Sequence, residues 1–455
     1  MENGFNDVKI LEAENRIGGR IFTTNFAGKK VELGAQWVYG AEGNVVYKLA
    51  SPYGVIDKGD DRVINIFDNV IDSDGNVIKQ DTVSAFNKFF AKVEEDLVAY
   101  AEKNKNSPLG DYFKNEIHKY VESHQECKEN KDGLTRLTDM TMMSIYSANS
   151  WDNVSTVSIR DFHSSPGEFF ISWKTNGYKT LLDILMKRFP KPEEELPVMK
   201  NTKLNAEVES IDYSDPNGKV KVKTTNGDEY TADYVIVTSS VGVLKIKHKS
   251  MFKPILPDDK QKAIEGTGFG NVGKVYLSFD APWWKEDMDY GINLIWKNKD
   301  LENLEKDNKK NWLRGLAGFT SSPYMPNILE AWISGVKNTE DMEKLSDDEV
   351  KSHVVEIMNR FFGKTHTVTN PTGILRSKWL TNKNFMGSLS YRSVESDPDV
   401  ANPTKLSEPI GKGKPVVLFA GEATSPHHFA TVHGALETGW REAERIMKQH
   451  PNIKK

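Results

Sequence analysis

Val416 to Ile446 reads VVLFAGEATSPHHFATVHGALETGWREAERI, and the rest of the chain is organised around it. Val416–Ala420 is an unbroken apolar run, as in a strand buried on both faces. Gly421 and Glu422 make a turn, a loop follows, and a helix is expected to open at about His433. Ala435, Leu436, Trp440, Ala443, Ile446 and Met447 recur at helical spacing, so one face of that helix is apolar. Strand, glycine turn and helix start together suit a large polar ligand. The glycine admits close approach to the backbone, and the helix start offers free N–H groups and the positive end of its dipole. The same pattern also serves as plain scaffold, so further blocks of sequence must decide between the two.

At the opposite end, Val8–Ala13 reads as a short buried strand ending in the acid Glu12, followed by Arg16-Ile17-Gly18-Gly19-Arg20. A dinucleotide-binding βαβ unit uses such an acid to hold a ribose hydroxyl. Its glycine fingerprint belongs about 20 residues upstream. The eleven residues before Glu12 hold one glycine, Gly4, and no fingerprint. The expectation is an incomplete version of a longer protein, with the pyrophosphate cradle and a central strand of a parallel sheet missing.

Between these ends, Glu32–Gly40 (ELGAQWVYG) is an aromatic-rich turn, followed by a helix from about Asn44 to Tyr53. Ser84–Tyr120 is expected to be helical, with Phe86, Phe89, Phe90, Val93 and Leu97 on one side. Asn130–Asp139 reads as a connecting loop, Lys179–Phe189 as a helix, and Lys191–Glu195 as a solvated linker. From Leu204 the period becomes two: Val208, Ile211, Val220 and Val222 alternate with polar residues, and Asn226-Gly227 marks a hairpin. Tyr234–Thr238 predicts a buried strand, and Gly273–Phe279 another, with Lys274 near its entry. Asn298–Lys310 reads as an exposed loop and Ile328–Ile333 as a strand. Ser346–Phe362 is a helix with a capping box. Arg376–Leu380 is a strand, and Gly387–Tyr391 a glycine-led loop.

Composition narrows the function classes. A chain of 455 residues has room for two or three domains. With 27% charged and 38% hydrophobic residues it reads as a soluble globular protein. A net charge of −5 disfavours nucleic acid as the main partner. The one cysteine, Cys127, forbids an internal disulfide and a cysteine metal site, and no metal is expected. No apolar run reaches the roughly 18 residues of a membrane span. No signal peptide is visible, and Asn452-Ile453-Lys454-Lys455 is not the peroxisomal tripeptide, so the expected location is cytoplasmic. Neither a G-x-S-x-G elbow nor an H-E-x-x-H zinc helix occurs.

Four blocks, in order, carry a resemblance: ILEAENRIGGR, ELGAQWVYG, TSSVGVLK…FGNVGKVYLSF, and FAGEAT…ATVHGALETGWREA. They resemble the flavin amine oxidase family, and within it the polyamine oxidase branch. The resemblance implies an α/β fold of two interleaved domains. Residues 1–55, 196–255 and 405–455 would form the FAD-binding domain, and 56–195 and 256–404 a substrate-binding domain with a mixed sheet. It implies non-covalently bound FAD, a polyamine substrate and O2. Glu12 would bind the adenosine ribose and Val208 would sit at the adenine end. Gly18, Gly19 and Arg20 would lie along the pyrophosphate and ribityl chain. Gly34, Ala35, Gln36 and Trp37 would pack beside the flavin ring. In the Gly421-Glu422 turn, Glu422 would hold a ribityl hydroxyl. Thr431 and Val432 would face the pyrimidine, and Lys274 would hold a water near flavin N5.

Tyr39, Leu389 and Tyr391 would form part of the substrate site, although Tyr391 reads equally well as an anchor of its loop. Tyr39 stands where the branch usually has histidine, and Leu389 where the family commonly has an aromatic. Trp332, Trp379 and Trp440 are expected in the core, and His433 in a structural role. The implied reaction oxidises a secondary amine of spermine, spermidine or an acetylated form to an aldehyde, a shorter amine and hydrogen peroxide. Two alternatives stay open. One is a histone-lysine demethylase relative, since ATVHGAL also resembles that branch. The other is a non-catalytic homologue that binds polyamine or a partner without flavin.

Overall fold

The computed structural model describes residues 4–451, apart from 6, 58–66, 68, 169, 216–217, 285–290, 323 and 412–413. A six-stranded mixed sheet runs in the order Gly373–Arg376, Gly273–Ser278, Met325–Ile333, Leu316–Ser322, Ile292–Ile295, Asn69–Asp72. Its pairs are antiparallel except the last, which is parallel. Every residue of Gly273–Ser278 is buried, as expected of a strand with neighbours on both sides. The helix Asp347–Phe362 starts on the expected capping box of Ser346 and Glu349. It buries Val350, Val354, Ile357, Met358, Phe361 and Phe362 in one core with Leu277 of the sheet and Trp312 of the short 3-10 helix Asn311–Gly315. Each such fully buried side chain contributes about 1.5–3 kcal/mol.

A second core lies among helices. The expected single helical stretch 84–120 is two helices, Gln80–Lys103 and Leu109–Ser123. The break falls before Pro108, whose extended backbone precedes the second helix. The segment 130–139 is not a loop but the first part of the helix Lys131–Tyr146, which buries Leu134, Leu137 and Met140. Gly133 lets this helix close on the sheet, since a Cβ there would sit 3.1 Å from the Cβ of Ile295. Residues 298–310 likewise begin with a helix, Asn298–Glu305. The helix expected over 179–189 is limited to Thr180–Leu185. The strand expected at 376–380 instead ends at Arg376, whose guanidinium is drawn to the backbone carbonyls of Met342 and Leu345 and to Asp347. Leu389–Tyr391 is a strand paired with Gly268–Gly270 rather than loop.

The remaining strands carry the two chain ends. Val208–Asp212, Val220–Thr224 and Glu229–Ala232 form a meander with the predicted turn at Asn226-Gly227, closed by a parallel partner, Phe252–Lys253. Gly227 has φ 90°, as a tight hairpin requires. Val417–Phe419 pairs in parallel with Val235–Val237, and Ile10–Leu11 with Thr202–Lys203. Among the described residues these are two separate pairs, not one sheet. The run at 234–238 is therefore not buried throughout: Ile236 is 38% exposed. Trp440 is 43% exposed and not a core residue. Val235 and Val237 pack on the core around Phe252, Leu406 and Phe419, whereas Val432 and Leu436 of the last helix pack on a separate cluster around Val46 and Leu181. Among the described residues no helix is long and apolar enough to cross a membrane.

Candidate functional site

The two chain ends and the six-stranded sheet enclose a cavity of about 2140 Å³. Pockets for drug-sized ligands hold about 300–1,000 Å³, so there is space for a large ligand and a smaller one beside it. Of the sequence-predicted residues, Glu12, Gly18, Gly19, Arg20, Gly34, Ala35, Gln36, Trp37, Tyr39, Val208, Lys274, Leu389, Gly421, Glu422, Thr431 and Val432 all line it. Tyr391 does not line it. Its ring packs under Gly268, where a Cβ would lie 2.5 Å from a ring carbon, so the loop-anchoring reading describes its place. Trp379 is buried, 5% exposed, as expected of a core residue, and one side of it borders the cavity, whereas Trp332 is only partly buried and lines the cavity.

Strand periodicity builds the wall around Lys274. Alternate residues share a face, so Lys274 and Tyr276 point the same way, and their cross-strand partners are Trp332 and Glu330. The Lys274 side chain is 4% exposed and that of Glu330 5%, with 3.5 Å between Nζ and Oε1. Nζ also donates to the carbonyls of Glu32 (2.9 Å) and Gly34 (3.1 Å) and to Gln36 Oε1. The Tyr276 hydroxyl lies 2.8 Å from the Glu32 carbonyl and 2.9 Å from Glu330 Oε1, two acceptors that share its single proton, and Gln36 Nε2 donates to Glu330 Oε2 (3.0 Å). Burial pulls the Lys274 ammonium below its usual range, and the Glu330 and Glu32 carboxylates oppose that pull. Trp332 lies under Nζ, 4.5 Å from its ring centre, and stacks on Trp37 at 5.4 Å. Sequence reading missed Glu330. The available signal was one acid inside the apolar run Ile328-Leu329-Glu330-Ala331-Trp332-Ile333.

The C-terminal block supplies a different wall. Gly421 has φ 126°, conformational space that favours glycine, and a Cβ there would meet nothing within 4 Å. Glu422 is buried, and its carboxylate is already engaged by the chain. Oε1 takes Arg20 Nη1 at 2.9 Å, and Oε2 takes the Ser390 hydroxyl at 2.6 Å and the Ala430 N–H at 2.7 Å. Three of its roughly four acceptor positions are thus used. Arg20 also donates to the Ser388 carbonyl at 2.7 Å, tying the N-terminal block to the loop before Leu389.

The helix Val432–Gln449 starts on the Thr431 hydroxyl, which caps the Gly434 N–H at 3.0 Å. Val432, Ala435 and Gly439 turn its first turns to the cavity. His433 is buried beside the Asn44 amide, 3.4 Å from Nδ1. Desolvation and the nearby His428 lower it to about 4, so it is neutral at pH 7. Asn44 meanwhile caps the helix Val45–Ala50, so His433 stands in a packing relation to a second helix.

Glu12 accepts the Glu14 N–H at 2.8 Å, and burial raises its carboxyl above the usual range. Tyr39 meets the Phe170 ring edge at 5.9 Å. Desolvation pushes its hydroxyl up to about 12, so it stays neutral. At Gly34 a Cβ would sit 1.9 Å from the Arg20 carbonyl, so this glycine serves the close crossing of two blocks. Glu94, Glu168 and Phe170 also line the cavity and were not singled out in the sequence, because nothing local separates them from surface residues.

Residues 1–447 match the model of the family described as flavin containing amine oxidoreductase. A peroxisomal N(1)-acetyl-spermine/spermidine oxidase of Bos taurus is 29% identical over 471 residues, covering 97% of this chain and 90% of the relative. A probable polyamine oxidase 5 of Arabidopsis thaliana is 26% identical, covering 98% and 93%. Polyamine oxidase 1 of Zea mays is 26% identical, covering 98% and 86%. With a cavity of this size built from the same blocks and a family match over nearly its whole length, the chain belongs to the flavin-containing amine oxidoreductase family.

Proposed function

We propose that this chain oxidises polyamines using non-covalently held FAD, with O2 as the final acceptor and hydrogen peroxide as a product. The observation that carries the reading is the buried Lys274–Glu330 pair over the Trp332 ring, which shares one cavity with the open Gly421 turn and the start of the C-terminal helix. The residues fit a flavin dinucleotide. The volume accommodates it, and the positions where Gly19 and Gly421 would carry a Cβ are open. Several relatives are themselves named polyamine oxidases.

A bound flavin supplies the two-electron oxidant for a C–N bond. The chain's own residues hold and tune it. Glu12 and Val208 would hold the adenosine end, and Gly18, Gly19 and Arg20 the linking chain. Gly34, Ala35, Gln36 and Trp37 would pack beside the ring. The Glu422–Arg20 pair would keep the Ser388–Ser390 strand entry in place and offer a remaining acceptor position to a hydroxyl. The helix start at Thr431 and Val432 would stabilise negative charge developing near it. Lys274, held by carbonyl and carboxylate oxygens, would orient a water and exchange a proton with it. Its lowered pKa brings that exchange closer to neutral pH. The neutral Tyr39 and the aliphatic Leu389 would bound the substrate without adding charge, which favours the neutral amine that the oxidation requires.

Anaerobic mixing of the flavin-loaded chain with spermine, spermidine and N1-acetylspermine tests this. The flavin absorbance should bleach with at least one of them, and peroxide should appear on readmitting air. A flavin-loaded chain that no polyamine bleaches refutes the reading. A chain that stays colourless after incubation with FAD supports the non-catalytic alternative.

A further inference from the structure

The Gln36 amide joins the two buried charges of the cavity wall and is used at both ends. Its Oε1 accepts from Lys274 Nζ, and its Nε2 donates to Glu330 Oε2 at 3.0 Å. Lys274 and Glu330 also face each other directly at 3.5 Å. An ammonium has three N–H donors. Three oxygens receive them here: the carbonyls of Glu32 and Gly34 and Oε1 of Gln36. The Glu330 carboxylate takes the Gln36 N–H and faces the Tyr276 hydroxyl. With the charges in this order, the donors and acceptors of the lysine are fully matched.

The same atoms match equally well with the proton on Glu330. A neutral lysine keeps two N–H donors for the two carbonyls and presents one lone pair. An amide turned end for end donates its N–H to that lone pair, and its oxygen accepts the new O–H of Glu330. An amide serves both states because a half-turn exchanges its donor for its acceptor. Lys274, Gln36 and Glu330 all border the cavity, so what fills the cavity sets how much water reaches the pair. In the open cavity the three oxygens and the Trp332 ring, 4.5 Å from Nζ, favour the ammonium. Excluding water makes two separate charges costly and a neutral pair cheaper. Complete burial can lower a lysine to about 5–6 and raise a glutamate to about 8–9, far enough to exchange their order.

We infer that Lys274 and Glu330 hold one proton in common, which moves from Nζ to the Glu330 carboxyl when the cavity is filled, with the Gln36 amide turning over to follow it. One N–H bond breaks at Nζ and one O–H bond forms on Glu330. The pair stays net neutral, so no acid or base is needed from outside. The result is an uncharged lysine, which does not oppose the positive charge that an amine acquires as it is oxidised. This rests on the flavin and polyamine reading above. It adds Glu330 as the proton acceptor and Gln36 as a positioning residue.

Infrared difference spectra of the full chain before and after addition of FAD test it. Carbon-13 at the glutamate side-chain carboxyls separates their acid C=O stretch from the carbonyls of the flavin. In the wild type a labelled acid band should rise in step with bound flavin, and Glu330→Gln should abolish it. Gln36→Leu should show the band before FAD is added. Its ion pair loses two charge-assisted hydrogen bonds, whereas its neutral pair loses two weaker ones. A wild type that binds FAD without gaining the band overturns the inference, and bleaching of that flavin by a polyamine then leaves the reading above intact. A band that Gln36→Leu leaves unchanged in both forms also overturns it. A chain that takes up no FAD overturns the inference and the reading together.

Discussion

Replacing Lys274 by methionine removes the one cation within 4 Å of the Glu330 carboxylate among the described residues, while Tyr276 and Gln36 still donate to it. Both partners are about 95% buried, so water does not replace the lost charge. Breaking a buried pair from one side costs about 3–5 kcal/mol, because it strands the other charge. The two remaining neutral donors place the expectation at the low end, about 3 kcal/mol, a factor of roughly 150 in the folding equilibrium. Neutralising Glu330 in the same molecule removes the stranded charge. Lys274→Met combined with Glu330→Gln should therefore recover about 2 kcal/mol of the loss. A double-mutant cycle in guanidinium chloride measures this, with tryptophan emission and circular dichroism as independent probes of unfolding. Additive effects of the two substitutions would refute the coupling. A Lys274→Met protein as stable as the wild type would refute the view that Lys274 compensates Glu330.

Other outcomes follow from the same contacts. His433, lowered to about 4 against an unfolded value of about 6.5, binds its proton more readily in the unfolded chain. Stability should be full above pH 6.5 and fall on the order of 3 kcal/mol as pH drops toward 4. Denaturation midpoints measured across that range check this, and His433→Gln should flatten the dependence. Gly34→Ala forces a Cβ to 1.9 Å from the Arg20 carbonyl, so the two blocks must separate. A loss of about 3 kcal/mol or more, with the flavin-to-protein absorbance ratio reduced, is expected. Glu422→Gln removes the charge that holds Arg20, and its amide nitrogen must stand either at Oε1 against Arg20 or at Oε2, which receives both the Ser390 hydroxyl and the Ala430 N–H. A cost of about 1–3 kcal/mol is expected, with faster hydrogen exchange at residues 388–391. Unchanged exchange there would count against the tie between the two chain ends.

Much of the fold was legible because its signals are local. The Ser346 capping box, the Asn226-Gly227 hairpin and the strand from Gly273 lie where their sequences place them. Within the helix Lys131–Tyr146, Asp132-Gly133 is a local turn signal that the helix overrides. Packing against Ile295 reverses it, since that glycine is what permits the contact. Tyr391, Trp332 and Trp440 could not be assigned from sequence, because periodicity says which face a residue occupies but not what lies opposite. Tyr391 faces Gly268, Trp332 lines the cavity, and Trp440 is 43% exposed.

By itself the sequence determined the order of its strands, turns and helices around Val416–Ile446, the turn at Gly421 and the blocks that carry the family resemblance. These depend on spacing over a few residues, where backbone preference and side-chain period dominate. Only the tertiary structure decided which charges are compensated. Lys274 meets backbone 240 positions away at Gly34, and Arg20 meets Glu422 across 402 positions. The energy of a charge depends on what surrounds it in space, and strand register and helix packing set those surroundings after the local elements have formed.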